Sequence, residues 1–349
     1  MKYIDFRSDT STTPTKEMRT AIFEAELGND GYHEDPTVNK LEEKAALLLG
    51  KESALLIPSG TMGNLIALMV YCKRGDEVIL EASSHILVGE KGGICSIAQA
   101  MPIPIEGIDG VLTAEQIKKK LHYNSNNEGI QTGLICLENT HNRAGGAIFP
   151  ISNIKAICKL AHSYKIPVHL DGARIFNAAV ALNIDIKEIV KPVDSIMFCL
   201  SKGLACPVGS MLVGTHNFIK RARQYRRILG GRMRQAGIIA AAGIVALEHM
   251  IDRLQIDHEN ALKLGEELGK LSYIQIDLNT VQTNIVRFKV LNQKIGAREL
   301  VRILKNQGIL IDYSIEENFR MVTHKDIESK DVMKVINCFK KIEKHLEHK

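Results

Sequence analysis

The chain has 349 residues, 45% of them hydrophobic, so it is long enough for one large domain and a smaller one with substantial cores. Its net charge is only +5 and its basic residues are scattered along the sequence, which argues against a nucleic-acid-binding protein. No run of about 18 or more apolar residues could span a membrane, and the first ten residues carry no apolar signal region.

The first elements combine helix signals with polar segments. A polar run, Arg7–Thr10, opens the chain, and an amphipathic helix is predicted around Lys16–Leu27. The polar loop Gly28–Asn39 follows and carries one aromatic residue, Tyr32. A proline near the end of this loop suits the entry to a helix that runs through Leu41–Leu49.

A turn of small and hydroxyl-bearing residues, Pro58–Asn64, separates a short apolar strand from a predicted helix, Leu65–Tyr71. Ser59, Gly60 and Thr61 would present free backbone N–H groups at the positive end of the helix dipole. Such a turn forms an anion site, and phosphate is the usual occupant. The turn is not a P-loop, because it lacks the glycine spacing and the lysine of that motif.

Polar groups that could carry chemistry recur where short apolar strands end. The strands and the groups that follow them are Glu77–Leu80 with His85, Leu134–Leu137 with His141, Ile166–Leu170 with Asp171 and Arg174, and Ser195–Leu200 with Lys202. Because strands and helices alternate, we expect an α/β fold with a mostly parallel sheet flanked by helices on both faces. These groups would then meet at the carboxyl edge of one sheet.

The collected groups match the needs of one cofactor. A phosphate would bind at the Gly60–Thr61 helix start, and the His85 imidazole would stack on an aromatic ring. Asp171 would face a basic ring nitrogen, and Lys202, 31 residues further on, would form a Schiff base with an aldehyde. Burial would lower the pKa of such a lysine and make its amine nucleophilic. The cofactor with these features is pyridoxal 5′-phosphate (PLP).

Several motifs together resemble those of the L-threonine aldolase family, among PLP enzymes of the aspartate-aminotransferase type (fold type I). The matching segments are Arg7–Thr10, Tyr32 with Asp35–Asn39, Pro58–Asn64, Glu138–Asn142, His169–Arg174, Leu200–Leu204 and Met233–Gln235. The resemblance implies a large PLP-binding domain with an N-terminal arm and a seven-stranded sheet over residues 1–250. Residues 251–349, with strands near Thr283–Phe288 and Ile309–Tyr313, are expected to form a smaller α+β domain.

The resemblance also implies residue roles and an activity. The activity is cleavage of L-threonine or L-allo-threonine, and related β-hydroxy-α-amino acids, to glycine and acetaldehyde. The implied roles are covalent attachment of PLP for Lys202, pairing with the ring nitrogen for Asp171, stacking for His85, and base catalysis for His85 or His141. Further roles are phosphate binding for Ser59, Gly60 and Thr61, contact with cofactor and substrate for Arg174, substrate binding for Ser8, Tyr32 and Arg320, and contact with a partner's phosphate for Arg227 and Arg234.

The implied assembly is a homotetramer of two dimers with shared active sites. The segment Arg221–Arg234 contains no acidic residue, which suits contact with a phosphate.

The seven cysteines include no Cys-x-x-Cys pair and several lie in apolar runs, so we expect reduced thiols, a cytoplasmic location and no metal site. An amino acid is the expected partner, in glycine biosynthesis, without nucleic acid or membrane.

The sequence departs from the family pattern at two places, and two other functions are possible alternatives to threonine cleavage. Arg232 occupies a position that is usually glycine, and the neighbours of Tyr32, Gly31 and His33, also differ from the common ones. A β-eliminating amino-acid lyase would use the same cofactor residues and differ in its products. A non-catalytic PLP carrier would not need the two carboxylate-binding arginines, Arg174 and Arg320.

Overall fold

A computed structural model of the protein describes residues 3–123, 129–291, 295–313 and 318–347. The first part of the chain alternates strands and helices. Its elements are β1 (Ile4–Asp5), α1 (Lys16–Phe23), α2 (Pro36–Leu49), β2 (Ser53–Ile57), α3 (Gly60–Tyr71), β3 (Glu77–Glu81), α4 (His85–Val88), α5 (Gly93–Ser96), β4 (Met101–Ile105), α6 (Ala114–Lys118), β5 (Thr132–Glu138), α7 (Ile151–Ser163), β6 (Val168–Asp171), α8 (Ile175–Leu182), α9 (Ile186–Val190), β7 (Ser195–Cys199), β8 (Ser210–Gly214), α10 (His216–Ile228) and α11 (Gly237–His249).

The remaining elements form a C-terminal region with its own core. They are α12 (Leu254–Gly269), β9 (Ile274–Gln275), β10 (Ile285–Val290), α13 (Ala297–Asn306), β11 (Ile309–Leu310), β12 (Asp312–Tyr313), β13 (Asn318–Val322) and α14 (Ser329–Glu347). No helix in the described part of the chain is both long enough and apolar enough to cross a membrane.

Strands β2 to β8 form one seven-stranded sheet in the order β2-β8-β7-β6-β5-β3-β4. Strand β8 is antiparallel to both of its neighbours, and the other pairings are parallel. The predicted α/β class, with a mostly parallel seven-stranded sheet and a smaller α+β region, is therefore confirmed.

Helices cover both faces of this sheet because successive strand residues point to opposite sides. On one face Leu170 and Phe198 pack with α2, α7 and α8 in a single buried cluster. On the other face Met197 and Leu212 pack with α3 and α10, and Leu80 packs in an adjoining cluster with α3 and α5. Because both faces of the sheet are buried, the sequences of its strands are continuous apolar runs.

The carboxyl ends of four neighbouring strands define the site. Strands β7, β6, β5 and β3 are adjacent in the sheet, and each leads into one of the polar segments singled out from the sequence. Helix α3 follows β2 and packs against β7. The sheet order therefore brings Lys202, Asp171, His141 and His85 to one edge.

In the C-terminal region, helices α12, α13 and α14 pack around the antiparallel sheet β12-β13-β10-β9. The predicted strand Ile309–Tyr313 is two short strands, because β11 pairs with β1 and β12 pairs with β13. The N-terminal strand thus joins this region, and Phe6 lies in its core. The division between residues 250 and 251 stays a prediction.

Candidate active site

The start of helix α3 lies against the end of β7. The Ser59 side chain accepts a hydrogen bond from the Met62 N–H (3.2 Å) and caps the helix, which begins at Gly60 and not at the predicted Leu65. A Cβ on Gly60 would lie 3.0 Å from the Cys199 Sγ, so glycine permits this approach. The backbone N–H groups of Gly60 and Thr61, at the positive end of α3, are therefore next to the strand that leads to Lys202.

Lys202 lies in a tight turn directly after β7 and is half-buried. Its carbonyl oxygen accepts the N–H of Ala205 (2.8 Å). The Thr12 hydroxyl lies 2.9 Å from the carbonyl oxygens of both Lys202 and Asp9, which ties the N-terminal segment to this turn. Burial acts to raise the pKa of Asp9, but the charge and hydrogen bonds of Arg174 and the charge of Lys202 together outweigh it, so that pKa is lowered.

Asp171 is the last residue of β6 and is 2% exposed. One carboxylate oxygen accepts the Ala173 N–H and the other accepts an N–H of the Asn64 side chain, both at 3.0 Å. This arrangement holds a buried acceptor at a fixed position, as pairing with a protonated ring nitrogen would require.

His85 begins the short helix α4, and its backbone N–H donates to the Glu138 side chain (2.6 Å). A Cβ on Gly89 would lie 2.6 Å from the His85 Cδ2, so the ring packs directly over that glycine. The hydrogen bond between Nδ1 and the Glu90 carboxyl (3.2 Å) raises the pKa of His85. The side chain is still 39% exposed and accessible to a reactant.

Arg174 and Arg320 converge on one oxygen atom. Nη1 of each guanidinium lies 3.2 Å from the Oδ1 of Asn142. Arg174 also forms a bidentate pair with the buried Asp9, with both distances 2.7 Å. Such a pair fixes the guanidinium plane.

The N-terminal segment also holds Arg320, whose Nη2 donates to the Arg7 carbonyl (2.9 Å). Its Nε is buried and has no hydrogen-bond partner among the described residues. Ser8 lies between the two residues that hold the arginines, and its hydroxyl oxygen accepts the Thr10 N–H (3.2 Å).

His141 is buried, with both ring nitrogens engaged. Nε2 donates to the Glu81 carboxylate (3.0 Å), and Nδ1 accepts the Ala144 N–H (3.2 Å). Burial acts to lower the pKa of His141, but the hydrogen bond to Glu81 and the charges of the neighbouring carboxylates together outweigh it, so the pKa is raised. The pKa of Glu81 is lowered to about 2, because this bond and those from Ser83 outweigh burial.

Tyr32, Arg227 and Arg234 lie on the surface of the single chain, where Tyr32 is 68% exposed. The Asp30 N–H donates to the Arg234 carbonyl (2.9 Å), so the Tyr32 loop and the basic segment are joined. The Arg232 guanidinium lies 5.6 Å from the Tyr32 ring centroid, a cation–π contact.

Sequence reasoning missed four residues that organise the site: Asp9, Glu90, Glu138 and Asn142. Three of them lie within the quoted motifs and Glu90 lies five residues after His85, but their roles come from contacts across the fold. Glu138, for example, accepts N–H groups from both His85 and Asn142, and so joins the loops after β3 and β5.

One family model and several known proteins match this chain over most of its length. Residues 5–290 match the model of the β-eliminating lyase family. The low specificity L-threonine aldolase of Escherichia coli (strain K12) is 40% identical over 333 residues, covering 95% of this chain and 97% of the relative.

Two solved structures show the same fold. A threonine aldolase from Leishmania major superposes with a TM-score of 0.82 at 18% identity, covering 97% of this chain and 99% of the other. A structure of SPT with PLP superposes with a TM-score of 0.77 at 17% identity, covering 99% of this chain and 88% of the other. The chain therefore belongs to the β-eliminating lyase family, in the group of its low-specificity L-threonine aldolases.

Proposed function

We propose that this chain is a PLP-dependent lyase that cleaves L-threonine and L-allo-threonine, and related β-hydroxy-α-amino acids, to glycine and acetaldehyde. The observation that carries the proposal is a convergence of groups at one sheet edge. Asp171 ends one strand there and Lys202 follows the neighbouring strand, beside an arginine pair that shares a single oxygen acceptor. An acid, an amine and a carboxylate-binding pair are the groups that amino-acid chemistry with PLP requires.

The residues at this edge fit PLP. The start of α3 offers backbone N–H groups for a phosphate, next to the strand that leads to Lys202. Asp171 offers a buried carboxylate for a ring nitrogen. The Arg320 Nε is buried without a partner among the described residues, which suits a site that receives a further anionic group.

When bound, PLP supplies a protonated ring that accepts the electrons of the bond that breaks. Lys202 would hold the cofactor covalently through its side-chain amine. Asp171 would keep the proton on the ring nitrogen, since a carboxylate beside that nitrogen stabilises its charged form. His85 would lie against the ring face, with Gly89 behind its own ring.

Arg174, Arg320 and Ser8 would bind the carboxylate of the substrate, because a guanidinium fork pairs with both carboxylate oxygens. The β-hydroxyl must lose its proton as its oxygen becomes the carbonyl oxygen of acetaldehyde, while Cα gains a proton to give glycine. His85 is the stronger candidate for the base, because its side chain is 39% exposed. The His141 side chain is 2% exposed, and its ring is held by Glu81.

The proposal extends to the assembly and its setting. We propose a homotetramer of two dimers in which Arg227 and Arg234 bind the phosphate of a partner's cofactor and Tyr32 contacts substrate. A cytoplasmic location and a part in glycine biosynthesis complete the proposal. The exposure of Tyr32, Arg227 and Arg234 on the single chain supports a role for this face in contact with a second copy.

The test is product analysis with L-threonine and purified protein loaded with PLP. Acetaldehyde and glycine in equal amounts support aldol cleavage, whereas ammonia and 2-oxobutanoate indicate the β-eliminating alternative that the family name suggests. Lys202→Ala should abolish turnover, and Lys305→Ala, at an exposed lysine of the C-terminal region, should leave it unchanged. A loaded wild-type protein that releases neither set of products would favour a non-catalytic carrier.

A further inference from the structure

Glu90 is a buried acid that has no role in the cofactor binding, substrate binding or base catalysis proposed for this site. It is 6% exposed and lies at the end of the loop that carries His85. Its Oε1 lies 3.2 Å from the His85 Nδ1 and 2.8 Å from the side-chain nitrogen of Asn64. Its Oε2 is buried and has no partner among the described residues.

Asn64 joins Glu90 to Asp171. The same side-chain nitrogen that donates to Glu90 also donates to the Asp171 Oδ2 (3.0 Å). A contact on the oxygen side fixes the orientation of this amide, because the Asn64 Oδ1 lies 3.1 Å from the His169 Nε2. Burial lowers the pKa of His169 to about 4, so its ring is neutral. The Asn64 Oδ1 then accepts a hydrogen bond from the His169 Nε2–H.

We propose that Glu90 is a positioning residue that fixes the His85 ring and keeps the proton on Nδ1, so that Nε2 is the nitrogen presented to the reaction. The inference rests on the proposed function for the step that His85 performs, but its geometry is independent of that function. Asn64 donates through its side-chain nitrogen, so Glu90 Oε1 accepts that hydrogen bond and is placed to accept a second one from the His85 Nδ1–H, which keeps its proton. Gly89 confines the ring from one face, and Glu90 fixes its rotation.

The groups around this pair shift the pKa of both partners. Burial, together with the charge of Asp171, raises the pKa of Glu90 to about 7, while the bonds from His85 and Asn64 oppose the rise. The groups that face the pair are Asp171 on β6, Lys202 after β7, Asn64 on α3 and the buried thiol of Cys136 on β5. Since Glu90 raises the pKa of His85, removing the negative charge should lower that pKa.

The first measurement uses the cofactor-free protein and histidine-labelled NMR, with the His85 signals assigned by their loss in His85→Asn. Wild-type protein should show His85 with the proton on Nδ1. Glu90→Gln keeps the shape and the acceptor but loses the charge, so it should lower the pKa of His85. Glu90→Ala should lose the fixed tautomer. Glu77→Gln is the matched control, because Glu77 is 2% exposed and lies 2.7 Å from the His122 Nδ1, away from the site.

The second measurement is the pH profile of L-threonine cleavage by the PLP-loaded protein. Glu90→Ala should reduce kcat roughly ten- to a hundredfold with little change in KM, as the loss of a residue that orients a reacting group does. Glu90→Gln should move the acid limb of the kcat profile to lower pH. A merely structural Glu90 would lower Tm without either effect.

Two results would overturn the inference. One is a wild-type His85 that carries its proton on Nε2, which needs no variant to fold. The other is a folded Glu90→Gln protein with an unchanged His85 pKa. If the protein does not cleave threonine, the NMR titration still decides the role of Glu90, so failure of the function and failure of the inference are distinguishable.

Discussion

At the scale of single residues, Asn142 lies between the two arginines that are proposed to bind the substrate carboxylate. Its amide oxygen lies 3.2 Å from one nitrogen of Arg174 and one of Arg320. Asn142 is a neutral acceptor, so it orders the two guanidinium groups without adding a second negative charge to the one that Asp9 already places on Arg174. The Asn142 backbone N–H donates to Glu138 (2.8 Å). This bond does not involve the Asn142 side chain, so it can hold the loop in place when that side chain is replaced.

We expect Asn142→Asp to weaken substrate binding, because the new carboxylate would compete with the substrate for both arginines. Charge-assisted pairs contribute about 1.5–3 kcal/mol, so KM for L-threonine should rise roughly ten- to a hundredfold. The dissociation constant of glycine, measured by spectral titration, should rise in parallel. Asn142→Ala, which adds no charge, should change both constants less, and equal effects in the two variants would contradict the competition.

At the scale of elements, the strand ends and their polar groups are predictable and the contacts between elements are not. The apolar runs predict the C-terminal ends of β3, β5, β6 and β7 to within one residue, because buried parallel strands have a continuous apolar pattern. Glu90 and Asn142 have no local signal. Asn142 meets an arginine 178 residues away, and Glu90 connects with Asp171 through Asn64, which is 107 residues from that aspartate.

The two departures from the family pattern contact one another. The Arg232 Nη2 donates to the Gly31 carbonyl (2.7 Å), and its guanidinium packs where a side chain at Gly31 would be. A Cβ on Gly31 would lie 2.5 Å from the Arg232 Nε. The glycine therefore makes room for the arginine, which in turn holds the Tyr32 ring.

We expect Gly31→Ala and Arg232→Gly to be non-additive. The backbone at Gly31 is not left-handed, and the three atoms nearest to an added Cβ all belong to the Arg232 side chain. Alanine should lower the free energy of unfolding in the wild type and have little effect beside Arg232→Gly, a coupling of about 0.5–3 kcal/mol by urea denaturation. Gly269→Ala, at a helical glycine with open space around it, is the control. Additive effects would mean that the contact contributes nothing.

At the scale of the whole molecule, the N-terminal segment connects the two regions of the fold. Strand β1 pairs with β11, Asp9 holds Arg174, and the Arg7 carbonyl accepts a hydrogen bond from Arg320. The proposed carboxylate site is therefore built from the N-terminal segment, the segments after β5 and β6, and strand β13 of the C-terminal region. The proposed phosphate site needs a second copy as well, since Arg227 and Arg234 are exposed on the single chain.

If active sites are shared, two inactive proteins should complement each other. Lys202→Ala removes the proposed attachment point, and Arg234→Ala should weaken cofactor binding roughly ten- to a hundredfold. Under subunit exchange, some mixed dimers pair a wild-type lysine with a partner's wild-type arginine, and activity should return. Absence of recovery, with exchange demonstrated by mass spectrometry, would mean that each subunit binds its cofactor alone.

The most direct measurement is to locate the cofactor on the chain. The PLP-loaded protein is reduced with borohydride, digested and analysed by mass spectrometry, with Lys305→Ala and Lys202→Ala proteins treated in parallel. We expect one phosphopyridoxyl group on the peptide that contains Lys202, retained in Lys305→Ala and absent from Lys202→Ala. A stoichiometric adduct on another lysine would contradict the assignment of the site at the end of β7, and with it the roles derived for Asp171 and His85.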